Sequence, residues 1–148
     1  MMINSPYTEF CLRMARAHAA LLRRFDSALG SVHGISFGDF QLLDHLSRAA
    51  GGRLRRVDLA ERLGLTASGV TRALLPLEKI GLVAREADPR DARVGYAAIT
   101  PAGTELLANA TVTTNLVSGD LLQGVAKDKL DAMSALLGQL AGINASNN

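Results

Sequence analysis

Apolar residues recur along this chain at two different spacings, and the change from one to the other organises it. Phe10, Met14, Ala17, Leu21 and Phe25 follow at three- and four-residue steps, which predicts an amphipathic helix from about Pro6 to Leu29, broken by Gly30 and Gly34. Ser36 is placed to cap a second helix carrying Phe40, Leu43 and Leu46, which stops at the pair Gly51 and Gly52. A third, short helix is predicted from about Arg56 to Leu63. After Gly81 the period becomes extended. Leu82–Ala87 and Tyr96–Thr100 read as short strands, and the eight residues between them, "DPRDARVG", hold the Asp, Pro and Gly of a turn. Thr100 then caps a fifth helix with Pro101 at its first position, and Leu130, Met133, Leu137 and Leu140 form one stripe on a last helix.

The link between the third helix and a fourth is specified residue by residue. Gly64 sits where a helix end needs a left-handed residue, and Thr66 is placed to cap the next helix. Leu65 and Val70 are spaced as a hydrophobic staple across that cap. Gly81 follows the fourth helix as its stop, with Leu82 able to pack back on Leu77. At roughly 100° per residue, Val70, Leu74 and Leu77 make the buried stripe of this helix. Ser68, Arg72, Leu75 and Lys79 point the other way, with Thr71 at the edge. Pro76 removes one backbone hydrogen bond and crowds the carbonyl of Arg72, so a kink is expected there.

Short helix, glycine turn, second helix and arginine-bearing hairpin are, in that order, the parts of a winged helix-turn-helix. The fold class expected is therefore mainly α with a small β wing. A winged helix-turn-helix lobe over residues 36–100 would be flanked by helical dimerisation segments at 5–30 and 101–143 within a single 148-residue chain. In such a lobe the second helix enters the major groove of double-stranded DNA. Ser68, Thr71 and Arg72, in its first two turns, would meet base edges, and arginine can grip guanine O6 and N7 bidentately. Lys79 and some of Arg53, Arg55 and Arg56 are placed for phosphates. Arg93 with Arg90 would enter the minor groove, where narrow A·T tracts concentrate negative potential. Asp88 and Asp91 would either hold these arginines or cap the turn.

Composition changes this picture little. Hydrophobic residues at 48% and charged ones at 20% describe an ordinary globular domain, apart from the polar tail Asn144 to Asn148. No apolar run approaches the roughly 18 residues of a membrane span. The N-terminus has no basic stretch before an apolar core, so a cytoplasmic protein without a membrane partner is expected. The formal charge is only +2. The segment from Arg53 to Arg93 nevertheless carries nine basic against six acidic residues, the electrostatic footprint of phosphate contact. One cysteine, Cys11, excludes an intrachain disulfide and a multi-cysteine zinc site.

Taken together, "LAERLGLTASGVTRALLPLEKIGLV" and "DPRDARVGYAAITPAG" resemble the multiple antibiotic resistance regulator (MarR) family of bacterial transcription factors. Asp91 and Arg93 match the family's Asp-x-Arg, and Ile99, Thr100, Pro101 and Gly103 its closing Ile-Thr and Pro-x-Gly. The resemblance implies a homodimer that binds a pseudo-palindromic operator, usually as a repressor relieved by a small-molecule effector. The ligand-binding residues and the effector are unassigned. Gly95 departs from the pattern, standing where many relatives carry a second basic wing residue, and Pro76 makes the recognition helix less regular than usual.

Other readings find less in the residues. His18, His33 and His45 show no catalytic spacing, there is no Gly-rich phosphate loop, and His with Asp44 matches no metal-ligand pattern. No enzyme, cofactor or metal is expected. Cys11, beside Phe10 and Met14, reads as an inert core residue. Because some members of the family sense peroxides through a cysteine near the start of the first helix, a redox-sensing regulator is one alternative. The other is a winged-helix module that binds a protein rather than DNA.

Overall fold

The computed structural model describes residues 2–142. The polar tail at 144–148 and position 143 lie outside the described residues. Two compact units divide the chain, residues 1–117 and residues 118–148.

In the first unit, α1 (Pro6–His33) is capped by the Ser5 side chain, has Pro6 at its first position and stops at Gly34, which holds a left-handed φ of 69°. It runs through Gly30, where a break was expected. A helical glycine costs only roughly 0.5–1 kcal/mol, and burial of Phe25 and Leu29 outweighs that. Ser36 caps α2 (Phe37–Arg48) in a full capping box with Asp39. Phe37, at the start of α2, stacks on Phe25 with ring centroids 4.3 Å apart. The glycine pair lies in a 3₁₀ turn over Ala50–Gly52. A strand that the apolar pattern did not predict follows, β1 (Arg53–Arg55). Then come α3 (Arg56–Leu63), α4 (Ala67–Lys79), β2 (Val83–Ala87), β3 (Gly95–Ile99) and α5 (Pro101–Leu121), whose residues from Ser118 onward belong to the second unit.

The three strands form one antiparallel sheet in the order β1-β3-β2. Leu54 lies opposite Ala97 and Arg85 opposite Ala97 on the other side, so β3 is the middle strand. The core under the sheet and helices is leucine-rich: Leu29, Leu42, Leu43, Leu46, Leu59, Leu74 and Leu77 are all essentially inaccessible. Ala97 and Ala98 of β3 complete it. The outer part of α1 behaves differently from expectation. Of its stripe only Phe25 is buried, while Phe10 is 40% exposed and Cys11, expected in a core, is exposed.

The second unit contains α6 (Lys127–Leu140), preceded by Gly124 at a φ of 82°. A Lys127–Asp131 ion pair of 2.8 Å ties its first turn, and none of its residues is buried. Among the described residues no helix is long and apolar enough to cross a membrane.

Candidate nucleic-acid interface

The reversal between α3 and α4 takes three residues and satisfies its own backbone. Gly64, at a φ of 66°, donates to Glu61 O (3.1 Å), and Leu65 N–H reaches Ala60 O (2.8 Å). These two bonds make a Schellman stop. Thr66 Oγ1 accepts from the Gly69 amide at 3.1 Å and so starts α4. At the other end Gly81 donates to Glu78 O (3.1 Å) and Leu82 to Leu77 O (2.9 Å), a second Schellman stop. The helix between them is unbroken through Pro76. Its stripe of Val70, Leu74 and Leu77 is buried.

The opposite face carries the expected polar residues in unequal states. Ser68 is exposed, its hydroxyl 3.2 Å from that of the capping Thr66. Arg72 is exposed, and its guanidinium makes no hydrogen bond or ion pair with the described residues. Lys79 is exposed, as is Leu75 at 41%. Thr71 is half-buried and fully engaged: its hydroxyl donates to Ala67 O at 3.1 Å and accepts from Arg56 Nη2 at 2.8 Å.

The wing is the β2–β3 hairpin with its tip at residues 88–94. Of the two roles expected for the aspartates, Asp88 takes only the turn-capping one, while Asp91 takes both. Asp88 Oδ1 accepts from the Arg90 amide (2.7 Å) and Asp91 Oδ1 from the Arg93 amide (3.0 Å), which shapes the turn. Asp91 also grips the Arg93 guanidinium through Nε (3.0 Å) and Nη2 (3.1 Å). These bonds hold the Asp91 carboxyl below, and Arg93 above, their ordinary pKa values, the side-chain bond first and the backbone amide second for Asp91. Arg93 remains 91% exposed, and Arg90 is exposed too.

The basic residues before α3 separate into three kinds. Arg53 lies over the Tyr96 ring, 4.6 Å from its centroid, and pairs with Glu86 at 3.2 Å. Arg55 is exposed at the end of β1, where Tyr96 first, then Asp58 and Asp88, hold its guanidinium above the usual arginine value. Arg56 is largely covered: besides Thr71 it faces Glu78, with Nη1 3.8 Å from the carboxylate. Glu78 in turn accepts from Arg85 of β2 at 3.2 Å. The segment's positive charge is thus presented mainly by Arg55, Arg62, Arg72, Lys79 and Arg90, while Arg93 is exposed but paired with Asp91. Sequence reading did not find Glu78, because its role depends on two arginines brought to it by different elements.

A cavity of about 610 Å³ opens between α3, the start of α4 and the wing, lined among others by Arg55, Arg56, Leu65, Val70 and Arg93. His18 is exposed, and His33 is bonded to Thr113 Oγ1 at 2.7 Å. His45 is half-buried. Among the described residues no three His, Cys, Asp or Glu side chains converge as a metal site.

Comparisons with known proteins agree with this geometry. A model of the MarR family matches residues 33–94. The uncharacterised HTH-type transcriptional regulator YkoM of Bacillus subtilis is 30% identical over 115 residues, 78% of this chain and 73% of that protein. Among solved structures, the MarR family regulator Sco3205 of Streptomyces coelicolor, determined in complex with DNA, matches with a TM-score of 0.83 at 24% identity. That match covers 95% of this chain and 89% of Sco3205. NadR, determined in complex with 4-hydroxyphenylacetate, matches with a TM-score of 0.81 at 24% identity over 97% of this chain and 100% of its own. By its sequence likeness and its winged helix-turn-helix fold, the chain belongs to the MarR family of DNA-binding transcriptional regulators.

Proposed function

We propose that this protein is a homodimeric, ligand-responsive repressor that binds a pseudo-palindromic operator in the cytoplasm. The observation that carries the reading is the state of Arg72. A guanidinium exposed on the outward face of α4, held by no partner among the described residues, is available for bidentate contact with a guanine. Ser68 lies beside it one turn earlier. Lys79 and Arg55 are the phosphate contacts of this scheme, and Arg93 with Arg90 is its wing contact, already shaped by Asp91 and Asp88. The DNA complex of Sco3205 supports the same use of the same fold.

Two-fold association is supported by apolar surface that one chain leaves uncovered, including Tyr7, Phe10 and Leu12 on α1 and Leu130, Met133, Leu137 and Leu140 on α6. A single recognition helix covers few base pairs, and a two-fold pair gains specificity from two half-sites about one helical turn apart. NadR's small aromatic ligand supports an effector of comparable size. Such an effector shifts DNA binding only by its differential affinity for the competent and incompetent conformations. No catalytic chemistry is assigned.

The test is binding to duplexes from the region upstream of the protein's own gene, measured by fluorescence anisotropy across a salt series. Affinity should fall steeply with salt. Arg72→Ala should lose about 1–3 kcal/mol on the preferred duplex, with little loss on unrelated DNA. Equal affinity of wild type and Arg72→Ala on every duplex would remove Arg72 from the interface and the reading with it.

A further inference from the structure

The arginine at the start of α3 stands apart from its neighbours. Arg56 is adjacent in sequence to Arg55, yet Arg55 is exposed and Arg56 is tucked under α4. Its Nη2 donates to Thr71 Oγ1 at 2.8 Å, and its Nη1 lies 3.8 Å from Glu78 Oε1. Thr71 and Glu78 are seven residues apart, almost two turns of one helix, and so share a face. One guanidinium therefore engages α4 at two positions along its length, and together these oppose rotation about the helix axis. Its stem is held as well. A Cβ on Gly95 would come within 3.0 Å of Arg56 Cδ, so the residue that departs from the family pattern in the wing is also the one that makes room for this side chain.

Arg56 Nη1 is buried, and what faces it is the Glu78 carboxylate at 3.8 Å, an ion pair too long to be a hydrogen bond. Thr71 has spent its proton on Ala67 O and accepts from Arg56, so its hydroxyl is occupied within the protein. Ser68 and Arg72, on either side of it, are exposed.

We propose that Arg56 is a positioning residue that sets the rotation of α4, and that Ser68 and Arg72 read bases while Thr71 serves Arg56. The inference rests on the DNA-binding reading above and reassigns two residues within it. It makes Arg56 independent of the phosphate backbone, which distinguishes it from Arg55.

The test uses the full-length protein and a duplex enriched by the wild type from a randomised pool, with poly(dI-dC) as the unspecific DNA. Arg56→Met and Arg56→Lys should both weaken binding to the enriched duplex by about ten- to hundredfold. Neither should change the slope of log affinity against log salt, nor binding to poly(dI-dC). Arg55→Ala should do the reverse, lowering the slope by about one and weakening both DNAs alike. A slope that falls by about one in Arg56→Met, or an Arg56→Lys variant with wild-type affinity, would show a phosphate contact and overturn the proposal. Thr71→Val supplies a second measurement that does not depend on the folding of an Arg56 variant. It should weaken the enriched duplex and relax base preference together at all the positions that Ser68 and Arg72 read, because both side chains turn with α4; relaxed preference confined to one base pair would be a direct Thr71 contact and would overturn the proposal. A wild type that enriches no duplex overturns the DNA reading itself, and this inference with it.

Discussion

Replacing Gly103 with alanine tests how α5 is seated against the sheet. Gly103 is buried in the first turn of α5. A Cβ there would overlap the carbonyl oxygen of Leu82 and lie 2.8 Å from Ile99 Cγ1. That stretch of backbone is fixed from two sides, since Leu82 N–H donates to Leu77 O at 2.9 Å and Leu82 O accepts from Thr100 N–H at 3.1 Å. Rotation of a side chain cannot relieve the overlap, and α5 must move outward. Overlap with fixed backbone falls at the upper end of the about 1–3 kcal/mol that overpacking costs, which exceeds the roughly 0.5–1 kcal/mol that the helix propensity of alanine returns. Gly30 supplies the opposite case. It lies within α1, and nothing stands within 4 Å of its notional Cβ, so Gly30→Ala should gain roughly 0.5–1 kcal/mol by propensity alone. Thermal unfolding followed by circular dichroism resolves the pair, because about 1 kcal/mol moves the midpoint by roughly 2–4 °C for a chain of this size. Protein concentration must be held fixed, since any self-association would alter apparent stability. Gly103→Ala should melt below the wild type and Gly30→Ala above it. An unchanged midpoint in Gly103→Ala would refute the idea that backbone contact limits the approach of α5.

Two further outcomes concern titration. The Asp91 carboxyl, followed by carbon NMR, should titrate below the ordinary aspartate value of about 3.9 and return towards it in Arg93→Ala, because Arg93 is what depresses it. With a depressed native value, the pairing is intact above the ordinary aspartate range and lost as pH falls through the native value; an unshifted Asp91 would show that the wing arginine is free. His45 is pushed below its usual value, chiefly by burial, against the pull of Asp44 and with help from Arg62 and Arg48. The unfolded chain then binds the extra proton, so stability should be full above about pH 6.5 and fall as pH drops below it. His45→Gln should flatten that part of the urea-midpoint profile, and an identical slope in the variant would assign the effect elsewhere.

The ends of α4 were legible in the sequence because they are local. Gly64, Thr66 and Gly81 satisfy backbone groups only a few residues away, and nothing remote can veto them. Gly30 misled because a glycine marks a stop only where the chain turns left-handed, which here is Gly34. The strand β1 was invisible for the contrary reason: three residues carry no period, and their pairing depends on β3 arriving from the far side of α4. Arg55 and Arg56 could not be told apart in sequence. Their difference is made by the end of β1, which leaves one at the surface and sends the next beneath α4. Gly95 could be seen as a departure from the family, but its space is needed by a side chain from another element.

The short strand β1 also has a mechanical meaning. A two-stranded wing would be free to hinge at its root, but β3 is clamped on both edges, and only residues 88–94 extend past the last pairing of Ala87 with Gly95. Arg55 is at once the last residue of β1 and the residue that begins α3. The wing is therefore a short, stiff cantilever whose anchor is the first turn of α3. A load applied at its tip is delivered to the helix pair rather than dissipated in a flexible flap.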